Sequence, residues 1–362
     1  MEASALIVIT GVRCTPRKSV QKFIYSWWIR PEVATTDPLY AMMLSLLLLL
    51  VQCAFACAFP EPLPVTGNVT VHDPTICKDY NGTYWVFSTG TGIDIRSSPD
   101  RIHWTYEGAV FPDGSPWADG YAVDNFLWAP DCTYINGEFW LYYAASTSGS
   151  TESAIFLAKS STGAPGSWSN VGLVIATVAN DTFNAIDPNL FIDTNGDWYL
   201  SFGSFFSGIK LLDRSTGNWT GSPIIPVAER APGGTNAIEG SGMYKSYDNY
   251  YLFSSWDACC IGIKDTYNVR VGRSSNVTGP YKDQNGTNLT DGGGTLVLGN
   301  HDHVIGPGGE DLFTDIDGPI MIYHYFNSSI NQNCTSDFGN CSFAVQLGIN
   351  RVNFSTGWPV LV

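Results

Sequence analysis

A repeat of aromatic hairpins runs along most of this 362-residue chain. Each repeat has an acidic or glycine-rich anchor, a turn rich in Asn, Asp and Gly, and then an aromatic or apolar segment typical of a β-strand. The anchors are His72-Asp73-Pro74, Ala129-Pro130-Asp131, Ile186-Asp187-Pro188, Ile238-Glu239-Gly240 and Gly306-Pro307-Gly308, and the turns are Asn81-Gly82, Asn136-Gly137, Asn195-Gly196, Asp248-Asn249 and Asp317-Gly318. A period of about 50 to 70 residues built from hairpins is typical of propeller blades. The sequence therefore predicts an all-β protein, a five-bladed β-propeller.

The first 58 residues differ from the rest. A basic stretch is followed by an apolar run, about residues 43–57, which has the length of a signal-peptide core and is short for a membrane span. We expect residues 1–58 to be a leader with a signal peptide and residues 59–362 to be the propeller. Translation starting at Met42 or Met43 would explain the late signal; a long n-region or a signal anchor are the alternatives.

Sequons and cysteines agree with secretion. Asn-X-Ser/Thr sequons lie at Asn68, Asn81, Asn180, Asn218, Asn276, Asn285, Asn288, Asn327, Asn333, Asn340 and Asn353. Removing the leader leaves six cysteines, which allow fifteen pairings. We expect Cys334 to pair with Cys341 across a short loop, whereas Cys259 and Cys260 either bond to each other or to separate partners.

Net charge limits the partners. At −15, with a pI of about 4.5, the chain lacks the clustered Lys and Arg that a phosphate backbone requires. We expect no nucleic acid, no stable membrane partner and a secreted monomer, and a neutral polymer remains open as a partner.

Carboxylates at the anchors indicate chemistry. Asp73 and Asp187 precede proline, which cannot donate to a strand ladder, so each lies where a strand begins at the channel mouth. A single Asp-Pro is usually a turn, but its recurrence with Glu239 at the matching position of a third repeat favours a shared site. Three carboxylates beside Trp and Tyr, without a nucleophilic Ser or Cys motif, suggest glycoside hydrolysis, in which one acid protonates the leaving oxygen and one base activates water.

Six stretches in order carry a resemblance to glycoside hydrolase family 43, closest to its fungal-type endo-α-1,5-L-arabinanases. They are Val71-His72-Asp73-Pro74, Leu127-Trp128-Ala129-Pro130-Asp131, Tyr142 to Thr147 with Ser153-Ala154-Ile155, Asn184-Ala185-Ile186-Asp187-Pro188, Asn236-Ala237-Ile238-Glu239-Gly240, and Gly306-Pro307-Gly308-Gly309 with Tyr323-His324-Tyr325. The resemblance runs from about residue 66 to the end.

The resemblance implies an inverting mechanism with Asp73 as general base, Glu239 as general acid and Asp187 as the residue that raises the pKa of the acid. It further implies that Asp131 shapes the pocket for the substrate, arabinan. We expect Trp128, an aromatic residue beside an anchor, to stack on a furanose ring, and Asn184 and Ser153 to contact the substrate. No cofactor is expected for the chemistry itself.

Members of this family often hold a calcium or sodium ion in the channel through a His and water, and in many bacterial relatives that His follows Gly-Pro-Gly. Here that position is Gly309. His324 and His301, with His303 nearby, are the substitutes that we consider for such an ion.

Two alternatives remain. One is an exo-acting α-L-arabinofuranosidase or a β-xylosidase on the same fold; the Ser146-Thr147 and Ser153-Ala154-Ile155 context favours an arabinanase. The other is a secreted propeller that binds carbohydrate without turnover, which would have no need for Asp73, Asp187 and Glu239 together.

Overall fold

The structure, a computed structural model, describes residues 59–230 and 236–362. The predicted leader, residues 1–58, lies outside the described residues. In the part of the chain that the structure describes, no helix has the length and hydropathy needed to cross a bilayer.

Five sheets form the five blades, which confirms the predicted β-propeller. The first blade has β1 (Thr66–Gly67), β2 (Thr75–Lys78), β3 (Tyr84–Ser88), β5 (Asp94–Ser98) and β6 (His103–Ala109); the second has β4 (Gly90–Thr91), β7 (Phe126–Ile135), β8 (Glu138–Ala145), β9 (Ser153–Ser160) and β10 (Ser169–Thr177); the third has β11 (Asn189–Ile192), β12 (Trp198–Phe202), β13 (Phe206–Leu212) and β14 (Ile225–Glu229); the fourth has β15 (Ile238–Ser246), β16 (Asn249–Trp256), β17 (Asn268–Ser274) and β18 (Thr295–Leu298); the fifth has β19 (Val304–Asp315), β20 (Gly318–Asn327), β21 (Val345–Asn353) and β22 (Val360–Leu361). Short 3₁₀ helices lie at Pro116–Ala118, Gly262–Lys264, Leu289–Asp291 and Gly339–Ala344.

The inner hairpins follow the predicted turns in three blades. Asn136 and Gly137 take φ of 53° and 83°, the left-handed pair that a two-residue hairpin loop requires. In the fourth and fifth blades the predicted turns are wrong by one residue. Ser246 pairs with Asn249 and Asp315 with Gly318, so the second residue of each predicted dipeptide already belongs to a strand.

A left-handed residue recurs at the anchor of every blade. These residues are Asp73 (φ 47°), Ala129 (38°), Asp187 (53°), Gly240 (59°) and Gly309 (58°). Non-glycine residues rarely take this conformation, although Asp tolerates it better than most. The repeated bend precedes β2 and β11 and lies within β7, β15 and β19, and these five inner strands contact one another in sequence around the channel.

Hydrogen bonds tie neighbouring blades together along the channel. In four blades the side chain two residues after the left-handed residue accepts a bond from a backbone N–H of the next inner strand. The pairs are Thr75 with Cys132 (3.0 Å), Asp131 with Leu190 (2.8 Å), Asn189 with Met243 (2.9 Å) and Asp311 with Ile76 (3.0 Å). We call these four side chains the interblade ring; the equivalent position of the fourth blade is Gly242, which has no side chain to contribute.

Apolar side chains fill the space between blades. Trp140 of the second blade and Trp198 of the third, for example, are buried against each other. The segment before the first blade closes the ring, since Leu63 donates to Ile349 O (2.8 Å) and Leu347 donates to Val69 O (2.8 Å).

Disulfides reinforce this arrangement. Cys334 bonds to Cys341, as predicted, and Cys77 bonds to Cys132, which joins β2 to β7. Cys259 and Cys260 bond to each other, the first of the two alternatives that the sequence left open.

Candidate active site

A cavity of about 650 Å³ opens at the anchor end of the channel. All five blades contribute to it, and its lining includes most of the residues that the sequence singled out: Asp73, Trp128, Asp131, Asn184, Asp187 and Glu239. Asp73, Asp187 and Glu239 are each half-buried, so they combine solvent access with a desolvated setting. The volume lies within the range of small-molecule sites.

Asp73 is held by three neighbours. His72 Nδ1 lies 2.9 Å from Asp73 Oδ2, and Thr89 Oγ1 donates to the same oxygen at 3.0 Å. The Asp73 backbone N–H donates to His324 Nδ1 at 3.0 Å. Burial opposes ionisation, but the charge and hydrogen bond of His72 outweigh it and lower the pKa of Asp73 below its usual range. Asp73 is therefore ionised in neutral and mildly acidic solution.

Asp187 and Glu239 form a coupled pair. The Gly240 N–H, next in the chain to Glu239, donates to Asp187 Oδ2 at 3.0 Å, and the Tyr267 hydroxyl donates to Glu239 Oε1 at 2.9 Å. Burial raises the pKa of Glu239, and burial together with the Glu239 charge raises that of Asp187. Two carboxylates in this relation repel when both are ionised, so the pair retains a proton to higher pH than an isolated carboxyl.

Glu310 is a further pocket carboxylate that the sequence reasoning missed. It accepts a hydrogen bond from Ser255 Oγ at 2.5 Å, while its Oε1 is buried without a hydrogen-bond partner among the described residues. Burial raises the pKa of Glu310 to about 8, so it is protonated in neutral solution. Its signal in the sequence was its place directly after the glycine-rich fifth anchor.

The predicted substrate-binding residues take different positions. Trp128 and Asn184 line the cavity. Ser153 is not among the lining residues; it is fully buried behind the wall, where its Oγ lies 2.8 Å from Ser146 Oγ and 3.3 Å from Asn184 Oδ1. Asp131 is also buried, and it holds Leu190 N and Asn189 Nδ2 within the interblade ring.

The histidines considered for an ion are occupied elsewhere. His301 Nδ1 lies 2.8 Å from Gly299 O and His303 Nδ1 lies 3.4 Å from Glu61, and neither residue lines the cavity. His324 is buried and its pKa falls to about 3, through burial and the neighbouring His72. Because Nδ1 of this neutral ring accepts the Asp73 N–H, its Nε2 carries the proton and does not fit direct ligation of a cation. We derive no step through a channel ion, and its presence stays a prediction.

Comparisons with known proteins identify the family of this chain. Residues 64–359 match the family described as Glycosyl hydrolases family 43. Arabinan endo-1,5-alpha-L-arabinosidase A of Aspergillus niger is 41% identical over 315 residues, 84% of this chain and 94% of the relative. Extracellular endo-alpha-(1->5)-L-arabinanase 1 of Bacillus subtilis (strain 168) is 39% identical over 318 residues, 84% of this chain and 92% of the relative.

The fold comparison agrees as well. The structure of Cellvibrio cellulosa alpha-L-arabinanase complexed with arabinohexaose superposes with a TM-score of 0.75 at 31% identity, covering 82% of this chain and 96% of the other. With the carboxylates of three blades around one cavity and the family match across the whole propeller, the chain belongs to glycosyl hydrolases family 43 and is a glycoside hydrolase.

Proposed function

We propose that this protein is a secreted endo-1,5-α-L-arabinanase that cleaves arabinan with inversion at the anomeric carbon. The observation that carries the proposal is that three half-buried carboxyl groups, those of Asp73, Asp187 and Glu239, line one cavity. The named activities of the Aspergillus and Bacillus relatives, and the arabinohexaose bound by the Cellvibrio protein, support the substrate class.

Asp73 suits the role of general base. Because His72 lowers its pKa, Asp73 is in the ionised form that a general base requires, and it holds a fixed orientation through Thr89 and His324. In an inverting mechanism this base removes a proton from the water that attacks the anomeric carbon, on the face opposite the leaving group.

Glu239 suits the role of general acid. Burial raises its pKa, and the proton retained by the Asp187–Glu239 pair is the one that the leaving oxygen needs. Within the pair, the Gly240 N–H favours the charged form of Asp187 and the Tyr267 hydroxyl favours the charged form of Glu239, so these hydrogen bonds do not decide which carboxyl holds the proton. We assign the proton to Glu239 because the family resemblance of the Ile238-Glu239-Gly240 anchor implies the acid there, and we assign to Asp187 the role of orienting the acid through Gly240 and raising its pKa.

Furanose rings would lie along the open wall of the cavity. Trp128 offers an aromatic face and Asn184 an amide, a combination suited to a sugar with one apolar side and several hydroxyls. The extracellular relative from Bacillus and the disulfides of the propeller support secretion.

The test is to secrete the chain from Met43 onward and resolve the products of linear arabinan by chromatography. We expect short arabino-oligosaccharides, and proton NMR of the first product should show the inverted anomer. Arabinose alone would replace the endo assignment by an exo one, and no turnover of arabinan, arabinoxylan or aryl pentosides would favour a binding propeller.

Substitutions separate the roles of the carboxylates. Asp73→Asn and Glu239→Gln should each lower kcat on arabinan by about 10²–10⁴-fold, the usual contribution of a general acid or base. On a 4-nitrophenyl arabinofuranoside, whose leaving group needs no proton, Glu239→Gln should recover much of its rate and Asp73→Asn should not. The exposed Asp113→Asn is the control, and a matching loss in both substrates for Glu239→Gln would contradict its role as acid.

A further inference from the structure

Two consecutive half-cystines form part of the cavity wall. Cys259 and Cys260 follow β16 in the fourth blade, are bonded to each other and are both partly exposed. They line the cavity together with His72 and Phe338. The carboxylate mechanism has no use for them.

The disulfide is held rigidly from behind. Bonding consecutive residues closes a small covalent ring around their peptide bond, and Cys260 takes a φ of 74°. The Ile261 N–H donates to Asp265 Oδ1 at 2.7 Å, and the Gly262 N–H donates to Asp337 Oδ1 at 2.9 Å. Both half-cystines therefore have a fixed place, which a flexible loop could not provide.

A second loop supports the first. It is closed by the Cys334–Cys341 disulfide, and its Cys334 O accepts a hydrogen bond from Ile263 at 3.1 Å. Phe338, in the same loop, packs against His72 with ring centroids 4.9 Å apart and against Phe126 at 6.0 Å. The disulfide thus continues an apolar wall made by Phe338 and Phe126, both of which line the cavity.

The sulfur atoms lie next to the catalytic machinery. Cys260 Sγ is 3.5 Å and Cys259 Sγ is 3.8 Å from His72 Nε2. The other nitrogen of that ring, Nδ1, lies 2.9 Å from the Asp73 carboxylate. The disulfide therefore covers the Nε2 edge of His72, and the His72 ring lies between it and Asp73, the proposed base.

Disulfide sulfur is polarizable, largely apolar and only a weak hydrogen-bond acceptor. Such a surface matches the C–H face of a furanose ring and does not compete for its hydroxyls. Unlike a Phe or Trp side chain, it has no free rotation, since both ends are fixed to the backbone.

We propose that the Cys259–Cys260 disulfide is a sugar-binding platform, against which the pentofuranose ring next to Asp73 rests. This assignment rests on the proposed function, since it places an arabinan ring beside the base. The platform binds substrate and keeps His72 in place; it takes no part in proton transfer.

Binding without turnover tests the platform most directly. In a Glu239→Gln background, isothermal titration with linear arabino-oligosaccharides should show a Kd about tenfold weaker for Cys259→Ala/Cys260→Ala. In the active background the same pair should raise KM for arabinan by a similar factor. The matched control is Cys77→Ala/Cys132→Ala, which removes a disulfide outside the cavity lining and should leave Kd unchanged.

Peptide mapping under non-reducing conditions supplies a readout that does not depend on the variants folding. A Cys259–Cys260 bond in the secreted protein supports the platform, and free thiols or other partners at these positions would overturn it. An unchanged Kd and KM in a folded double variant would also overturn it. A parent enzyme inert on arabinan would instead count against the proposed function.

Discussion

At the scale of single residues, the position of Asp73 in the cavity depends on the absence of a side chain at Gly309. This residue has a φ of 58°, and a Cβ there would lie 2.5 Å from Asp73 Oδ1 and 2.9 Å from His324 Nδ1. The absence of a side chain is what lets His324 approach and accept the Asp73 N–H. The same position that breaks the bacterial Gly-Pro-Gly-His pattern thus explains how Asp73 is held here.

We expect Gly309→Ala to lower kcat on arabinan by at least about tenfold and to destabilise the fold by about 1–3 kcal/mol, because the new methyl group displaces Asp73 and the left-handed backbone disfavours Ala. Initial rates and thermal unfolding measure the two effects. Gly221→Ala is the matched control, since Gly221 also has a positive φ (87°) but a Cβ there meets no atom within 4 Å. Equal losses of activity in both variants would show that strain, and not contact with Asp73, is the cause.

At the scale of elements, the interblade ring explains why the inner strands hold their relative positions. Asp311 accepts hydrogen bonds from the Ile76 N–H at 3.0 Å and from Thr75 Oγ1 at 2.8 Å, so one side chain joins the last blade to the first. Asp131, which the resemblance assigned to the substrate pocket, forms an equivalent hydrogen bond between the second and third blades. This buried carboxylate therefore both lines the cavity and joins two blades.

Replacing Asp311 tests the ring. Asp311→Ala leaves a buried N–H and a buried hydroxyl without their acceptor, and it should lower the free energy of unfolding by about 2–4 kcal/mol. Asp311→Asn keeps one acceptor oxygen and should cost less. Chemical denaturation measures both, beside the exposed Asp113→Ala, which should change stability by no more than about 0.5 kcal/mol. An Asp311→Ala protein as stable as its parent would show that the interblade ring does not stabilise the fold.

At the scale of the whole molecule, buried carboxyls make stability depend on pH. Burial raises the pKa of Asp265 and Glu310 to about 8 and that of Asp311 to about 6, above their values of about 4 in an unfolded chain. Between the unfolded pKa values of about 4 and the folded values of about 6 to 8, the folded state binds more protons than the unfolded state. The free energy of unfolding therefore falls as pH rises from about 4 to about 8. Self-repulsion at a net charge of −15 acts in the same direction.

We therefore expect the Tm to fall by about 5 °C between pH 5 and pH 8, as measured by scanning calorimetry. Below about pH 4 the trend reverses, because Asp73 and Asp317 have lowered pKa values and their stabilising contribution is lost as they protonate. Asp265→Asn should flatten the decline above pH 5, since an amide does not titrate. A Tm that rises from pH 5 to pH 8 would contradict the buried-acid account.

The repeated hairpins determined the fold class from the sequence alone, because a period-two strand pattern and its turn residues are local properties. The same repeats were sufficient to bring Asp73, Asp187 and Glu239 to one cavity, since equivalent positions of a propeller face one channel. The tertiary structure alone decided how those carboxylates are surrounded: the His324 contact of Asp73, the burial of Glu310, and the disulfide beside His72. The His324 contact joins residues 251 positions apart at 3.0 Å, and the disulfide contact with His72 joins residues 188 positions apart at 3.5 Å; no local pattern encodes such a meeting.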